Sequence, residues 1–357
     1  MDLTSKDYYY KSKYFNHLVN HFIDSLLKRT NKYLRYDFES IHQLISTGYE
    51  LRARVGNEID QYDSLYKNIK SLKGRKTPCV FRNSVNDWPA IKIWNVDYFK
   101  NKYCDDICGF KKLSTILENG EDNYLRFYNL FQRHPEELRN IDLELFYKNV
   151  VSKPVIDQGF QFFVSPKVGT KTFFHNANDS NFFVQISGQK KWIFYESKMS
   201  ALFEPEPTMA EYRLPNIKLR EIDPFDKISL KSQRLSGTNS FEVTLNPGDI
   251  LYVPPYVWHS VLNLSGNNIG FGYRWLSPLE CVNTEPIFFL LDLLASNPPI
   301  YKSIFMARRD FMKIFISQQT NYNYYENKYK KYLDELNNSH TKYLKIIGPL
   351  RRKYKII

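Results

Sequence analysis

His175 and His259 lie 84 residues apart in the strand-rich part of the sequence, and each closes an aromatic run, "TFFH" and "YVWH". Two imidazoles at strand ends are a natural start for a metal centre, because neutral imidazole binds borderline metals such as iron. A histidine followed, after a gap of one, by a carboxylate is a familiar way for a strand to hold iron. In "HNANDS" that second position is Ala177, which ligates nothing. The site is either inactive, or built for something a carboxylate would block, or completed by the next carboxylate, Asp179. On a continuing strand Asp179 faces the same way as Ala177 but lies about 6.6 Å further along, and a bulge would bring it nearer. A histidine in such surroundings can also be a satisfied core residue. The run "NPGDILYVPPYVWHSV", a Gly-Asp turn, a strand and two prolines before His259, favours the ligand role.

The elements that must position these residues are short strands. From Gln161 onward "QFFVS", "FFVQIS", "KWIFY", "FEVTL", "DILYVP", "HSVLNL" and "NIGFGYRW" are divided by Gly, Pro, Asn and Ser. That texture predicts an all-β barrel or sandwich with helices before and after it. Between Asp37 and Leu72 apolar residues recur three, four or seven apart, which predicts amphipathic helix. "CVFRN" reads as a strand, "DWPAIKIW" as a turn and helix entry, "VDYFKNKY" as a helix, and the chain reads as helical again from Pro278 to Ile357. The expected division is a helical extension over 1–75, a barrel over 76–277 and a basic helical region over 278–357.

Bulk properties limit the functional class. With 43% apolar residues and 16% aromatic residues, the chain is globular and not disordered. The best apolar run, "PIFFLLDLLA", is short and carries Asp292, so no membrane span is expected. The N-terminal residues show no apolar leader segment. Cys79, Cys104, Cys108 and Cys281 form no CxxC pair and read as reduced thiols in an intracellular, cytoplasmic protein. Frequent Lys, Asn, Ile and Tyr suggest an AT-rich genome, and a host cytoplasm if the source is viral. The net charge of +12 owes much to segments after Lys302, which points to RNA or an acidic protein as partner of the C-terminal region.

From about Pro78 to Trp275 the sequence resembles the JmjC or cupin-like iron(II)- and 2-oxoglutarate-dependent oxygenases, particularly the type of the asparaginyl hydroxylase that acts on hypoxia-inducible factor. The resemblance is carried by "PCVFRNSVNDWPAIKIWNVDYF", "HNANDSNFFVQISGQKKW" and "PGDILYVPPYVWH", in that order. It implies a double-stranded β-helix, the cupin or jelly-roll barrel, with Fe(II), 2-oxoglutarate and O2 as its chemistry. His175 and His259 become the metal ligands. Lys190 and Thr172 match the groups that bind the distal carboxylate of 2-oxoglutarate, and Tyr124 matches a tyrosine closing that pocket. Asn181 and Gln185 point into the barrel or brace it, and Asn176, Asn178 and Tyr273 are possible substrate contacts. The resemblance also implies a protein or peptide substrate and a homodimer through the C-terminal helices.

The departure from the family pattern is Ala177, where hydroxylases of this type carry Asp or Glu. The resemblance leaves three readings open. Iron-dependent halogenases have alanine or glycine at this place, and a chloride or bromide ion then supplies the missing ligand and charge. A hydroxylase would need water or Asp179 as its third ligand. A non-catalytic binding module would need no metal.

Overall fold

The computed structural model describes residues 56–108, 111–118, 124–128, 130–148, 157–197, 203, 212–213, 223–226 and 240–295. Two sheets dominate the described residues. A four-stranded sheet runs in the order β1 (Gly56–Glu58), β12 (Ser240–Leu245), β10 (Lys190–Tyr195), β14 (Trp258–Asn263). A seven-stranded sheet runs β2 (Asp60–Tyr62), β3 (Cys79–Phe81), β13 (Ile250–Val253), β9 (Ser180–Ser187), β15 (Asn268–Leu276), β7 (Asp157–Ser165), β6 (Leu125–Tyr128). Two short pairs complete the set, β4 (Ile107–Cys108) with β5 (Lys111–Lys112), and β8 (Asn176–Ala177) with β11 (Tyr212–Arg213).

Side-chain alternation along these strands sorts the interior into layers. Phe162, Phe182, Phe271, Tyr273 and Trp275 face outward from the seven-stranded sheet and pack with Trp88, Trp94, Phe99, Phe131 and Phe146 of the covering helical segments. On the opposite face, Phe163 and Phe183 meet Trp192, Phe194, Leu245 and Val261 of the four-stranded sheet. Gly270 and Gly272 of β15 share this inner face, where a Cβ on Gly270 would fall 2.7 Å from the Phe183 ring. The missing side chains let the sheets close. The result is the sheet-on-sheet architecture of a double-stranded β-helix, the fold class that the strand texture predicts.

The helical readings hold at Pro89–Ile93, which opens with proline, and at Val96–Lys102, where Asn95 Oδ1 accepts the Tyr98 N–H at 2.7 Å. They fail at residues 56–62. There the helical spacing gives way to β1 and β2, which pair in parallel with β12 and β3 and lay Ile59 into the core between the sheets. Closing two sheet edges outweighs a weak local preference. The helical segment expected from Asp37 lies, as far as residue 55, outside the described residues.

The helices Pro278–Thr284 and Pro286–Ala295 follow the last strand. Phe288 packs on the Tyr256 ring at 5.5 Å and Asp292 accepts the Tyr256 hydroxyl, so the apolar run docks on its own barrel. The basic segments expected to recruit RNA or an acidic partner, and the run expected to complete a dimer contact, lie at 296–357, outside the described residues. All four cysteines are free thiols. Among the described residues no helix is long and apolar enough to cross a membrane.

Candidate metal centre

His175 and His259 come together although 84 residues separate them. They form an antiparallel bridge, His175 N–H to His259 O at 3.0 Å and the reverse bond at 2.8 Å. Directly opposed residues project to the same side. The two imidazoles accordingly lie with ring centroids 4.3 Å apart. Each ring also bonds the carbonyl two residues earlier through Nδ1, His175 to Phe173 O at 2.6 Å and His259 to Val257 O at 2.9 Å. A carbonyl can only accept, so Nδ1 carries the proton and Nε2 the lone pair, the tautomer that a metal requires. Burial, and then the neighbouring His175, hold the His259 pKa well below the usual imidazole range, so the ring is neutral at pH 7. The donor set fits a borderline divalent metal such as Fe(II). Among the described residues no group of three or more His, Cys, Asp and Glu is arranged around a metal position.

Deeper between the sheets lies Lys190, fully buried on β10. Its ammonium sits over the rings of Phe183 at 5.0 Å, Tyr124 at 5.3 Å and Phe163 at 5.5 Å, and donates to the Tyr124 hydroxyl at 3.4 Å. Between Lys190 and the histidines, Thr172 Oγ1 accepts the Val261 N–H at 2.9 Å, which leaves its own proton to donate. Trp192 stands beside His259 with ring centroids 5.6 Å apart. An aromatic chamber with a lysine ammonium and two hydroxyls, ending at two histidines, suits a small dicarboxylate that also chelates a metal.

The remaining expected residues divide. Ala177 is buried beside His175, and its carbonyl accepts the Tyr256 N–H at 2.6 Å. Asn176 is wholly buried, and neither end of its amide has a hydrogen-bond partner. Asn178 gives its carbonyl to Cys281 Sγ at 3.1 Å. Asn181 lies on the inner face, its Oδ1 filling the space a Gly272 Cβ would take. Gln185 braces the β9–β10 turn instead of facing a substrate, its Nε2 donating to Ser187 O at 2.7 Å and Asn268 Oδ1 at 2.9 Å. Tyr273, expected as a substrate contact, is 1% exposed and packs outward against Phe146 at 5.2 Å and Phe160 at 5.1 Å. The physical reason is parity, because its neighbour Arg274 takes the inner face.

Arg274 is the residue that sequence reasoning passed over. Its guanidinium bonds Gln161 Oε1 at 3.0 Å and Asp179 Oδ2 at 3.1 Å. Burial pushes the Asp179 carboxyl above its usual range, and Arg274 pulls it back. The signal was present in "NIGFGYRWL", where a charge follows two glycines at alternate positions of an apolar strand.

Residues 109–280 match the family described as Cupin-like domain. JmjC domain-containing protein D of Dictyostelium discoideum is 27% identical, with 56% of this chain and 51% of that protein covered. Lysine-specific demethylase JMJ30 of Arabidopsis thaliana is 26% identical, with 57% of this chain and 51% of that protein covered. The chain thus spans about half the length of the relatives it matches. A solved structure of YcfD, a ribosomal oxygenase from Escherichia coli, in complex with cobalt and 2-oxoglutarate shares 16% identity at a TM-score of 0.37, over 60% of this chain and 51% of that one. Sequence match and sheet order together give the conclusion that the chain carries a cupin-like domain, JmjC-like in fold.

Proposed function

We propose that the chain is an Fe(II)- and 2-oxoglutarate-dependent enzyme that oxidises a carbon on a protein or peptide side chain, with a halide in the place Ala177 vacates. The observation that carries the reading is the opposed pair His175 and His259, each held in the metal-binding tautomer by a backbone carbonyl. The lysine chamber supports the co-substrate. The names of two relatives, a lysine-specific demethylase and a ribosomal oxygenase, support oxidation of a macromolecule.

When bound, ferrous iron with 2-oxoglutarate and O2 supplies an oxidant able to take a hydrogen atom from an unactivated carbon. The chain's residues prepare for this. Lys190 binds the distal carboxylate, Thr172 and Tyr124 donate to it, and the rings of Phe163, Phe183 and Trp192 keep water out. In a halogenation, a C–H bond is replaced by a carbon–halogen bond. The keto acid loses CO2 to become succinate, and O2 ends as one succinate oxygen and one water.

Hydroxylation is the second reading, with water or Asp179 completing the metal. The bond between Asp179 and Arg274 weighs against the aspartate. An anaerobic titration with Fe(II) and 2-oxoglutarate separates the cases. A visible charge-transfer band that shifts with chloride supports halide at the Ala177 position, and an unshifted band accompanied by hydroxylated product supports the second reading. Absence of the band in folded protein would reduce the domain to a binding module.

A further inference from the structure

Besides the two histidines, one ionisable group on the segment from His175 to β9 lies near enough in sequence to complete a metal site, and it is engaged elsewhere. Asp179 sits two residues beyond Ala177 with its side chain 23% exposed, and Arg274, 10% exposed, holds its Oδ2 at 3.1 Å. Arg274 is itself fixed. It stands opposite Asn181 on β9 and Gly159 on β7, and its Nη1 donates to Gln161 Oε1 at 3.0 Å. A guanidinium so bound is a charged clamp with a set direction. An aspartate in a half-buried place needs a counter-charge, and a divalent ion at the histidines would serve as well as an arginine. The two cations therefore compete for one carboxylate.

We propose that Arg274 is a positioning residue that keeps the third coordination position of the histidine centre open, by holding Asp179 away from the metal. The inference rests on the metal reading above and deepens it. Ala177 alone does not guarantee an open position, because a carboxylate two residues on is available to swing in. Arg274 removes that alternative and leaves the position to an exogenous ligand.

The test is Co(II) binding to the full chain, read as an affinity and as the ligand-field spectrum in the visible. Arg274→Gln should bind Co(II) more tightly, on the order of tenfold, with a spectrum altered by the added oxygen ligand. Asp179→Asn in the wild-type background should leave affinity and spectrum unchanged, and Arg274→Gln combined with Asp179→Asn should lose the gain. Arg274→Lys, which keeps the charge, should stay close to wild type. A fall in affinity on Asp179→Asn would show the aspartate already on the metal and overturn the proposal, and that measurement stands even if Arg274→Gln fails to fold. Equal affinity in folded Arg274→Gln and wild type overturns it too, while leaving the histidine centre intact. If neither folded protein binds Co(II), the metal reading itself falls.

Discussion

The proton on each imbalance-prone ring is fixed by its neighbours. His259 is neutral when folded, yet below about pH 6.5 the unfolded chain's imidazole takes up a proton. The folded ring refuses that proton until the pH is far lower. The stability this group contributes is therefore intact above that pH and declines as the pH falls below it. In metal-free protein, the denaturant midpoint should drop between pH 7.5 and 5.5, and drop less in His259→Gln. Lys190 offers a second test. Replacing a buried ammonium by an apolar chain of like volume is often neutral or stabilising, so Lys190→Met should melt no lower than wild type. The same change should weaken 2-oxoglutarate binding by about 2–5 kcal/mol, the usual loss when one member of a buried charge pair is removed, measurable by calorimetry with Co(II) present. At this scale the sequence was informative where spacing and residue type coincide, as for His175, His259 and Lys190. It was silent on Arg274, because which face a strand residue takes depends on a register set by partners far away in the chain.

Strands were easier to read than their neighbours in space. The alternation in "NIGFGYRWL" and "KWIFY" announces β15 and β10, whereas β1 and β2 exist because β12 and β3 offer them open edges. Local spacing cannot report an edge more than a hundred residues away. Within β15 the two inner glycines differ in what surrounds them. A Cβ on Gly270 would meet the Phe183 ring at 2.7 Å and the Val184 carbonyl at 2.8 Å, neither free to move far. On Gly272 it would meet only the Asn181 amide, at 2.7 Å for Oδ1. Gly270→Ala should thus cost about 1–3 kcal/mol in urea unfolding, and Gly272→Ala should cost less, since Asn181 can turn aside.

For the molecule as a whole, the sheets reach further toward the N-terminus than the expected boundary at residue 76. β1 covers one edge of the four-stranded sheet and β2 one edge of the seven-stranded sheet, with Tyr62 stacked on Phe81 at 5.4 Å. A chain beginning at residue 76 bares both edges, and unpaired edges invite other strands. It should melt lower and aggregate sooner in light scattering than a chain beginning at residue 56. The interior chamber has a further consequence for labelling chemistry. Acylating reagents modify amines that they can reach, and Lys190 is reached only when the two sheets part. Its rate of acylation, followed by mass spectrometry, becomes a clock for the breathing of the barrel, and a dicarboxylate lodged against the ammonium would slow that clock.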